Sequence, residues 1–431
     1  MIGEFWDSKI ETMPLEELKK LQLKRLKKLV KHVYDNNRFY HDGFKEKGVK
    51  PGDIKTLSDL GELPFLTKHD LREYYPFGLM CVQVDDVVEI HASSGTTGKP
   101  VVGAYTRNDL EVWSEVMARS LWANGLRKND VLQNVYGYGL FTGAHGFEKG
   151  AQRIGAMVIP MSSGNTKRQV SFMKDLGSTA IACTPSYSLY MAEVAEEMGF
   201  DLQRDFKLKI GCFGAEAWSD EMRKTIEEKW GIVAHEHYGL TEIIGPGVVS
   251  ECRYKKLHIN VDHFLTEIID PNTGEPLEPG EEGELVFTTL TKEAFPVVRF
   301  RTRDLAAYFE DEVCECGRTL PVQSRIKGRS DDMMKIKGVI VFPSQIEAAL
   351  LKVPGVSENY QLVKEKKGTV TSLSIEVEAT EERYKMGNLE ELEQKVEEEI
   401  YSILNLRVPV KVLQPKTIPR STGKAKRVVE K

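Results

Sequence analysis

Hydrophobic positions recur along this chain with two periods. From residue 12 to 34, Leu15, Leu18, Leu26, Leu29 and Val33 fall mostly at three- and four-residue steps with lysines between them, which predicts an amphipathic helix. Glu16 and Glu17 suit its first turn, and Asn36-Asn37 and Gly43 are expected to break it. Its basic face is either a partner surface or a solvated one. Asp109 to Leu121 repeats the helical period, with Trp113, Val116, Met117 and Leu121 inward. Short apolar runs at Val87–Ala92, Val101–Tyr105 and Val131–Val135 predict strands. From Met157 onward strands and helices alternate: Met157–Pro160, Arg168–Leu176, Ala180–Thr184, Tyr187–Met198, Leu208–Phe213, Asp220–Trp230 and Ile232–His237. That rhythm predicts a mostly parallel sheet covered by helices. Ligands of such sheets bind beyond the carboxyl ends of the strands, where Gly214-Ala215-Glu216 and Tyr238-Gly239-Leu240-Thr241-Glu242 fall.

After Leu265 the pattern turns β-rich, with a turn at Pro271-Asn272-Thr273-Gly274, a strand at Glu284–Thr289, and Phe300-Arg301-Thr302-Arg303-Asp304 following a further apolar stretch. Glycine and charge cluster at Lys327-Gly328-Arg329-Ser330-Asp331-Asp332, an expected linker. Beyond it, Ser344-Gln345-Ile346-Glu347 fits a capping box opening a helix to about Leu351. Leu373, Ile375 and Val377 alternate as in a half-buried strand, Leu389, Leu392, Val396, Ile400 and Ile403 form a helical stripe, and Val408, Val410 and Val412 suggest a second strand. The expected fold is α/β. Residues 1–327 form a large domain with mostly parallel, helix-covered sheets and a β-rich subdomain. Residues 328–332 form a hinge, and 333–431 a small α+β C-terminal domain.

The chain has 431 residues and a formal net charge of −6, which argues against general attraction to nucleic acid or anionic lipid. No apolar run reaches the roughly 20 residues of a membrane span, and Met1 to Ile10 carries no signal-peptide core, so the expected location is the cytoplasm. Six cysteines in such a chain are expected to be reduced thiols rather than a disulfide scaffold.

Between the runs at Val87–Ala92 and Val101–Tyr105 lies Ser93-Ser94-Gly95-Thr96-Thr97-Gly98-Lys99-Pro100, with four hydroxyls, two glycines and a lysine. These are the parts of a polyphosphate cradle, since successive N–H groups, hydroxyls and an ammonium all favour anions. A polar hairpin loop has the same composition. The usual P-loop is excluded, because two residues rather than four separate Gly95 from Gly98. Tyr136-Gly137-Tyr138-Gly139-Leu140-Phe141-Thr142-Gly143 alternates rings with glycines, so Tyr136, Tyr138 and Phe141 either wall a cavity or pack a turn. His235 and His237 either face the same cavity or are structural. The basic end, Pro419 to Arg427, is weak as a lone motif.

Taken in order, Ser93–Pro100, Tyr238–Glu242, Phe300–Asp304, Gly328–Glu347 and Pro419–Arg427 resemble the acyl-adenylate-forming superfamily over nearly the whole chain. The Tyr136–Gly143 stretch and Phe342-Pro343-Ser344-Gln345-Ile346-Glu347 are similar to its phenylacetate–CoA ligase subfamily. The resemblance implies two steps: a carboxylate attacks the α-phosphate of ATP to give acyl-AMP and pyrophosphate, then the thiol of coenzyme A displaces AMP. It implies that Thr96, Thr97 and Lys99, with Ser93, Ser94, Gly95 and Gly98 around them, cradle the outer phosphates. It places Thr241 on the α-phosphate, Glu242 on Mg²⁺, Asp304 on the ribose hydroxyls, and Arg329 on ribose or phosphate. Gly214, Ala215 and Glu216 border adenine, Tyr238 and Gly239 line the nucleotide site, and Lys424 bridges the α-phosphate and the substrate carboxylate. Asp331 matches the hinge. Gly338 matches a position at the coenzyme A channel. An arginine of related synthetases is Ile340 here, so no phosphate role is assigned to it. Phenylacetate leads among the acids, and relatives suggest a homodimer.

Cys252, His258, Cys314 and Cys316 form a donor set that suits a closed, tetrahedral structural zinc, and some relatives of the subfamily look as though they carry one. The alternative is three unrelated thiols. Other functions stay open: a ligase for indoleacetate, benzoate or a deazaflavin-type acid, and a non-catalytic nucleotide-binding regulator. Nucleic-acid binding through the basic C-terminus is disfavoured by the acidic balance.

Overall fold

A computed structural model of the chain describes residues 4–93, 99–331, 334–336, 339–367 and 370–430. The first long helix is Leu15–Asn36, burying Leu18, Leu26, Leu29 and Val33. Asn37 ends it and starts another, accepting the Phe39 N–H at 3.0 Å to cap Arg38–Glu46. Gly43, expected as a breaker, therefore sits inside a helix. One glycine costs a helix only about 1 kcal/mol, less than capping and packing restore.

One continuous sheet spans the large unit. Its parallel half runs Met157–Pro160, Val131–Asn134, Ala180–Cys183, Ile210–Gly214 and Val233–Leu240. Its antiparallel half continues through Gly245–Glu251, Leu257–Ile259, Val322–Gln323, Phe300–Phe309, Glu282–Thr289 and Phe264–Ile269. The β-rich part is thus an extension of the parallel sheet. The strand Val131–Asn134 lies between its two successors, so the strand order reverses there and opens a crevice at the carboxyl ends. Gly328–Arg329, read as linker, pairs with Phe300–Phe309, setting Arg329 opposite Asp304. Asp304 itself lies inside that strand rather than after it.

Glu89–Ala92 and Val102–Tyr105 form an antiparallel hairpin, and Ser93 closes its neck: its N–H donates to the Val101 carbonyl and its hydroxyl accepts the Val101 N–H. Ser94, Gly95, Thr96, Thr97 and Gly98, the rest of the expected phosphate loop, lie outside the described residues, as does Gly338. The structure also contains a helix, Thr142–Ile154, where the sequence suggests only a turn. It packs on Arg107–Ala123. A Cβ on Gly146 would stand 2.5 Å from Pro246 and one on Gly150 2.6 Å from Met117, so the glycines that hide this helix from propensity let it approach.

The C-terminal unit has its own core. A four-stranded sheet, ordered Val410–Leu413, Val370–Ala379, Val356–Lys367 and Val428–Glu430, packs against Pro343–Lys352 and Leu389–Leu404. Ile346, Leu350, Leu362, Ile375, Val396 and Ile400 fill it. Two local expectations shift. The Phe342 N–H, not that of Ser344, is capped by Gln345 at 3.1 Å, and the Ser344 hydroxyl donates to the Lys327 carbonyl instead. Ile403 is exposed and Leu404 takes its place in the stripe, because the buried face follows a four-residue step from Ile400. No helix among the described residues is long and apolar enough to cross a membrane.

Candidate active site

The crevice gathers segments far apart in sequence. Val233–Leu240 delivers Tyr238 and Gly239, and just beyond its end come Thr241 and Glu242. The Tyr238 hydroxyl donates to Asp304 Oδ2 at 2.7 Å, while Arg329 Nη1 donates to Oδ1 at 3.1 Å. Burial pushes the Asp304 carboxyl up to about 6, with the Arg329 charge opposing. Arg329 also grips Asp331 through Nε and Nη2, at 2.9 and 3.0 Å. The expected ribose acceptor and hinge residue thus share one guanidinium.

Glu242 is buried and pairs with the half-exposed Lys68 at 3.0 Å. Nearby, Lys292 is buried over the Tyr105 ring and donates to the Ile243 carbonyl. Burial lowers its ammonium to about 8 although Asp109 and Glu242 favour the charge. Neither lysine carries a sequence signal, since only the fold brings them to Glu242. The Thr241 hydroxyl lies 3.4 Å from that of Thr142, at the start of the helix the sequence concealed. Lys99 is exposed, its ammonium 5.7 Å above the Tyr75 ring.

Gly214-Ala215-Glu216 follows the Ile210–Gly214 strand as expected. A Cβ on Gly214 would stand 2.3 Å from the His237 carbonyl oxygen, so no larger residue fits. Ala215 is held at φ +71°, a left-handed conformation that costs a non-glycine residue energy and gathers at ligand sites. Glu216 has a further part. One carboxylate oxygen accepts both the Ser186 N–H and hydroxyl, at 2.8 and 2.6 Å. The other accepts the Ala425 N–H at 2.9 Å, while the Thr184 hydroxyl donates to the Gly423 carbonyl at 3.1 Å. The loop carrying Lys424 is therefore pinned on both sides of that residue to the crevice, with Lys424 itself exposed.

Of the four expected acyl-pocket residues, the structure brings two together. Tyr136 stacks on Phe147 with ring centroids 5.2 Å apart, and Phe147 meets His237 edge-on at 4.9 Å. Tyr138 turns its hydroxyl to Asn134 at 3.0 Å, and Phe141 is half exposed at the start of its helix. His235 is buried further along the strand, next to Lys255 and Arg223. Phe147 was not legible because its helix was not.

Away from the crevice, Cys252, His258, Cys314 and Cys316 converge, all buried, with their ligand atoms within 4.8 Å of one another. The Cys252–Cys314 sulfurs are 3.6 Å apart, and Cys316 Sγ lies 3.3 Å from His258 Nε2. Edges of a zinc tetrahedron are about 3.8 Å between sulfurs and about 3.5 Å from sulfur to nitrogen, from Zn–S near 2.3 Å and Zn–N near 2.0–2.1 Å. His258 Nδ1 faces the Leu320 carbonyl at 3.0 Å, the outer partner that turns Nε2 toward a metal. The donor set fits zinc.

Residues 10–290 match the model of the AMP-binding enzyme family, and 338–431 that of the AMP-binding enzyme C-terminal domain. The chain is 44% identical to the phenylacetate-coenzyme A ligase of Thermus thermophilus, covering 99% of each chain. It is 45% identical to that of Escherichia coli (strain K12), covering 98% of this chain and 96% of the relative. Among solved structures it is similar to 2-hydroxyisobutyryl-CoA ligase in the postadenylation state in complex with R3-HIB-AMP. The TM-score is 0.94 at 28% identity, covering 100% of this chain and 93% of that one. Against the same ligase in complex with 2-HIB-AMP and CoA in the thioesterification state, the TM-score is 0.74 at 29% identity, covering 99% and 92%.

Proposed function

The chain belongs to the AMP-binding enzyme family, and on that premise we propose that it couples an aryl-type carboxylic acid, phenylacetate in the first instance, to coenzyme A. ATP activates the acid to acyl-AMP with release of pyrophosphate, and coenzyme A then displaces AMP to give the thioester. The observation that carries this is the docking of the Lys424 loop on Thr184 and Glu216, in the same crevice as Thr241, Glu242 and Asp304. A carboxylate is a poor nucleophile toward a polyanion, so the step depends on positioning and charge neutralisation. Lys424 serves both by joining the α-phosphate and the carboxylate. Asp304, as a carboxylate, receives ribose hydroxyls in place of its present donors. Glu242, now paired with Lys68, would hold Mg²⁺, a hard cation that would supply charge neutralisation at the phosphate oxygens. Thr96, Thr97 and Lys99 take the outer phosphates, and Gly338 is assigned to coenzyme A.

The domain division falls at Gly328–Asp332, and Asp331 is the hinge. Its support is the separate C-terminal core and the lower similarity to the thioesterification state. Structural zinc at the Cys252 cluster and a cytoplasmic setting, where ATP and coenzyme A are at hand, complete the proposal. The test is AMP formation with ATP, Mg²⁺, coenzyme A and a panel of acids. AMP that depends on both phenylacetate and coenzyme A is the expected result. Pyrophosphate release independent of coenzyme A would point to another acceptor, and no turnover with any acid would sink the ligase function.

A further inference from the structure

Two buried polar atoms of the acyl end have no hydrogen-bond partner among the described residues: the Tyr136 hydroxyl and His237 Nδ1. Both side chains are more than nine-tenths buried, Tyr136 at 8% exposure and His237 at 4%. They flank one ring, because Phe147 stacks on Tyr136 and meets His237 edge-on. The backbone of Gly214, paired in the sheet with His237, lies beside the Tyr136 hydroxyl.

The neighbours of His237 decide its chemistry. His237 Nε2 lies 2.6 Å from Asn124 Oδ1, and the Asn124 amide is oriented by donating its N–H to the Glu251 carbonyl. Asn124 Oδ1 is then an acceptor, so Nε2 carries the proton and Nδ1 presents a bare lone pair. Burial holds the imidazole down to about 3, so it stays neutral at ordinary pH. An acceptor and a hydroxyl buried among rings without a partner among the described residues forfeit the hydrogen bonds they had in water. The cluster sits at the carboxyl ends of the parallel strands beside the reversal of strand order, where ligands enter.

We propose that this end of the acyl pocket selects an acid whose tail carries an O–H or N–H donor, which donates to His237 Nδ1 and has the Tyr136 hydroxyl as its second partner. The proposal rests on the ligase function above and narrows it: a hydroxylated or indole-type acid is preferred over a donor-free acid of the same shape. Phe147 supplies the apolar wall between the two polar groups.

The test compares matched acids in the AMP assay: 4-hydroxyphenylacetate against phenylacetate, and indole-3-acetate against 1-methylindole-3-acetate. In at least one pair the donor-bearing acid is expected to win in kcat/KM by about tenfold or more, because its rival leaves buried groups unpaired. Tyr136→Phe keeps the ring stack and removes only the hydroxyl. It is expected to narrow that ratio and, in the ligand-free protein, to raise Tm by deleting an unsatisfied group. His237→Leu is expected to abolish the preference; since it also strips Asn124 of a partner, Tyr136→Phe carries the test if that variant fails to fold. Donor-free acids equal or better in both pairs, with turnover intact, would overturn the inference and leave the ligase standing. So would a ratio unmoved by Tyr136→Phe. Absence of AMP with any acid would instead remove the ligase function and the inference with it.

Discussion

Asp304 is buried at 5% exposure between a phenol and a guanidinium, and its carboxyl is pushed up to about 6. Its proposed role as acceptor of ribose hydroxyls requires the carboxylate. Nucleotide binding is therefore expected to weaken as pH falls through about 6, seen as a rising KM for ATP, with Asp304→Asn giving a high KM that no longer varies there. A KM flat from pH 5 to 8 in the unsubstituted enzyme would refute this. For stability of the ligand-free protein the sign is opposite. A carboxyl raised by burial contributes most below its unfolded value of about 3.8, and that contribution is lost as pH rises through about 6. Lys424 acts at the same scale. Removing one preorganised donor to developing charge costs about 10²–10³ in rate. Lys424→Ala is expected to slow acyl-AMP formation by that factor while still converting supplied acyl-AMP to thioester, and equal losses in both half-reactions would contradict the assignment.

At the scale of elements, the cluster of three cysteines and His258 joins two loops of the antiparallel half, one bearing Cys252, the other Cys314 and Cys316. The next residues extend the tie to the N-terminus, because Arg318 pairs with the buried Glu11 at 2.6 Å. Purified protein is expected to hold one zinc per chain. Cys316→Ser is expected to lose it and about 3 kcal/mol or more of stability, with little change in acid preference. Metal analysis without zinc would refute this. What the sequence shows of this molecule follows the reach of each signal. Helices with clean three- and four-residue spacing and the strands leading to Gly214 and Tyr238 are legible because their patterns are local. The Thr142–Ile154 helix is not, because Gly143, Gly146 and Gly150 read as breakers until Trp113 and Met117 are seen filling the space they leave. The expected nucleotide residues are legible as motifs. Lys68, Lys292 and Phe147 are not, since each reaches the crevice only through packing between distant segments.

At the scale of the whole molecule, the two units meet through polar contacts: Thr184 with Gly423, Glu216 with Ala425, the Ser219 N–H with Glu347 at 2.9 Å, and Glu193 with Arg420 at 3.1 Å. Leu351 adds an apolar contact with the large unit, and the polar contacts suit units that must part, because each is remade with water. Arg420 also pairs with buried Glu378 within the small unit, so replacing Arg420 would strand a carboxylate and confound the result. Glu193 is the cleaner probe. It lies on the large unit, is partly solvated, and reaches the small unit through hydrogen bonds with Arg420 and Asn359. The pair is partly buried, and on the order of 1 kcal/mol from it is enough to shift a two-state balance by about fivefold. Glu193→Ala is thus expected to lower acyl-AMP formation by about two- to fivefold and to leave thioester formation from supplied acyl-AMP equal or faster. The asymmetry matters more than the size. A structural defect would slow both half-reactions, whereas release of a docking contact favours the arrangement in which Lys424 has withdrawn.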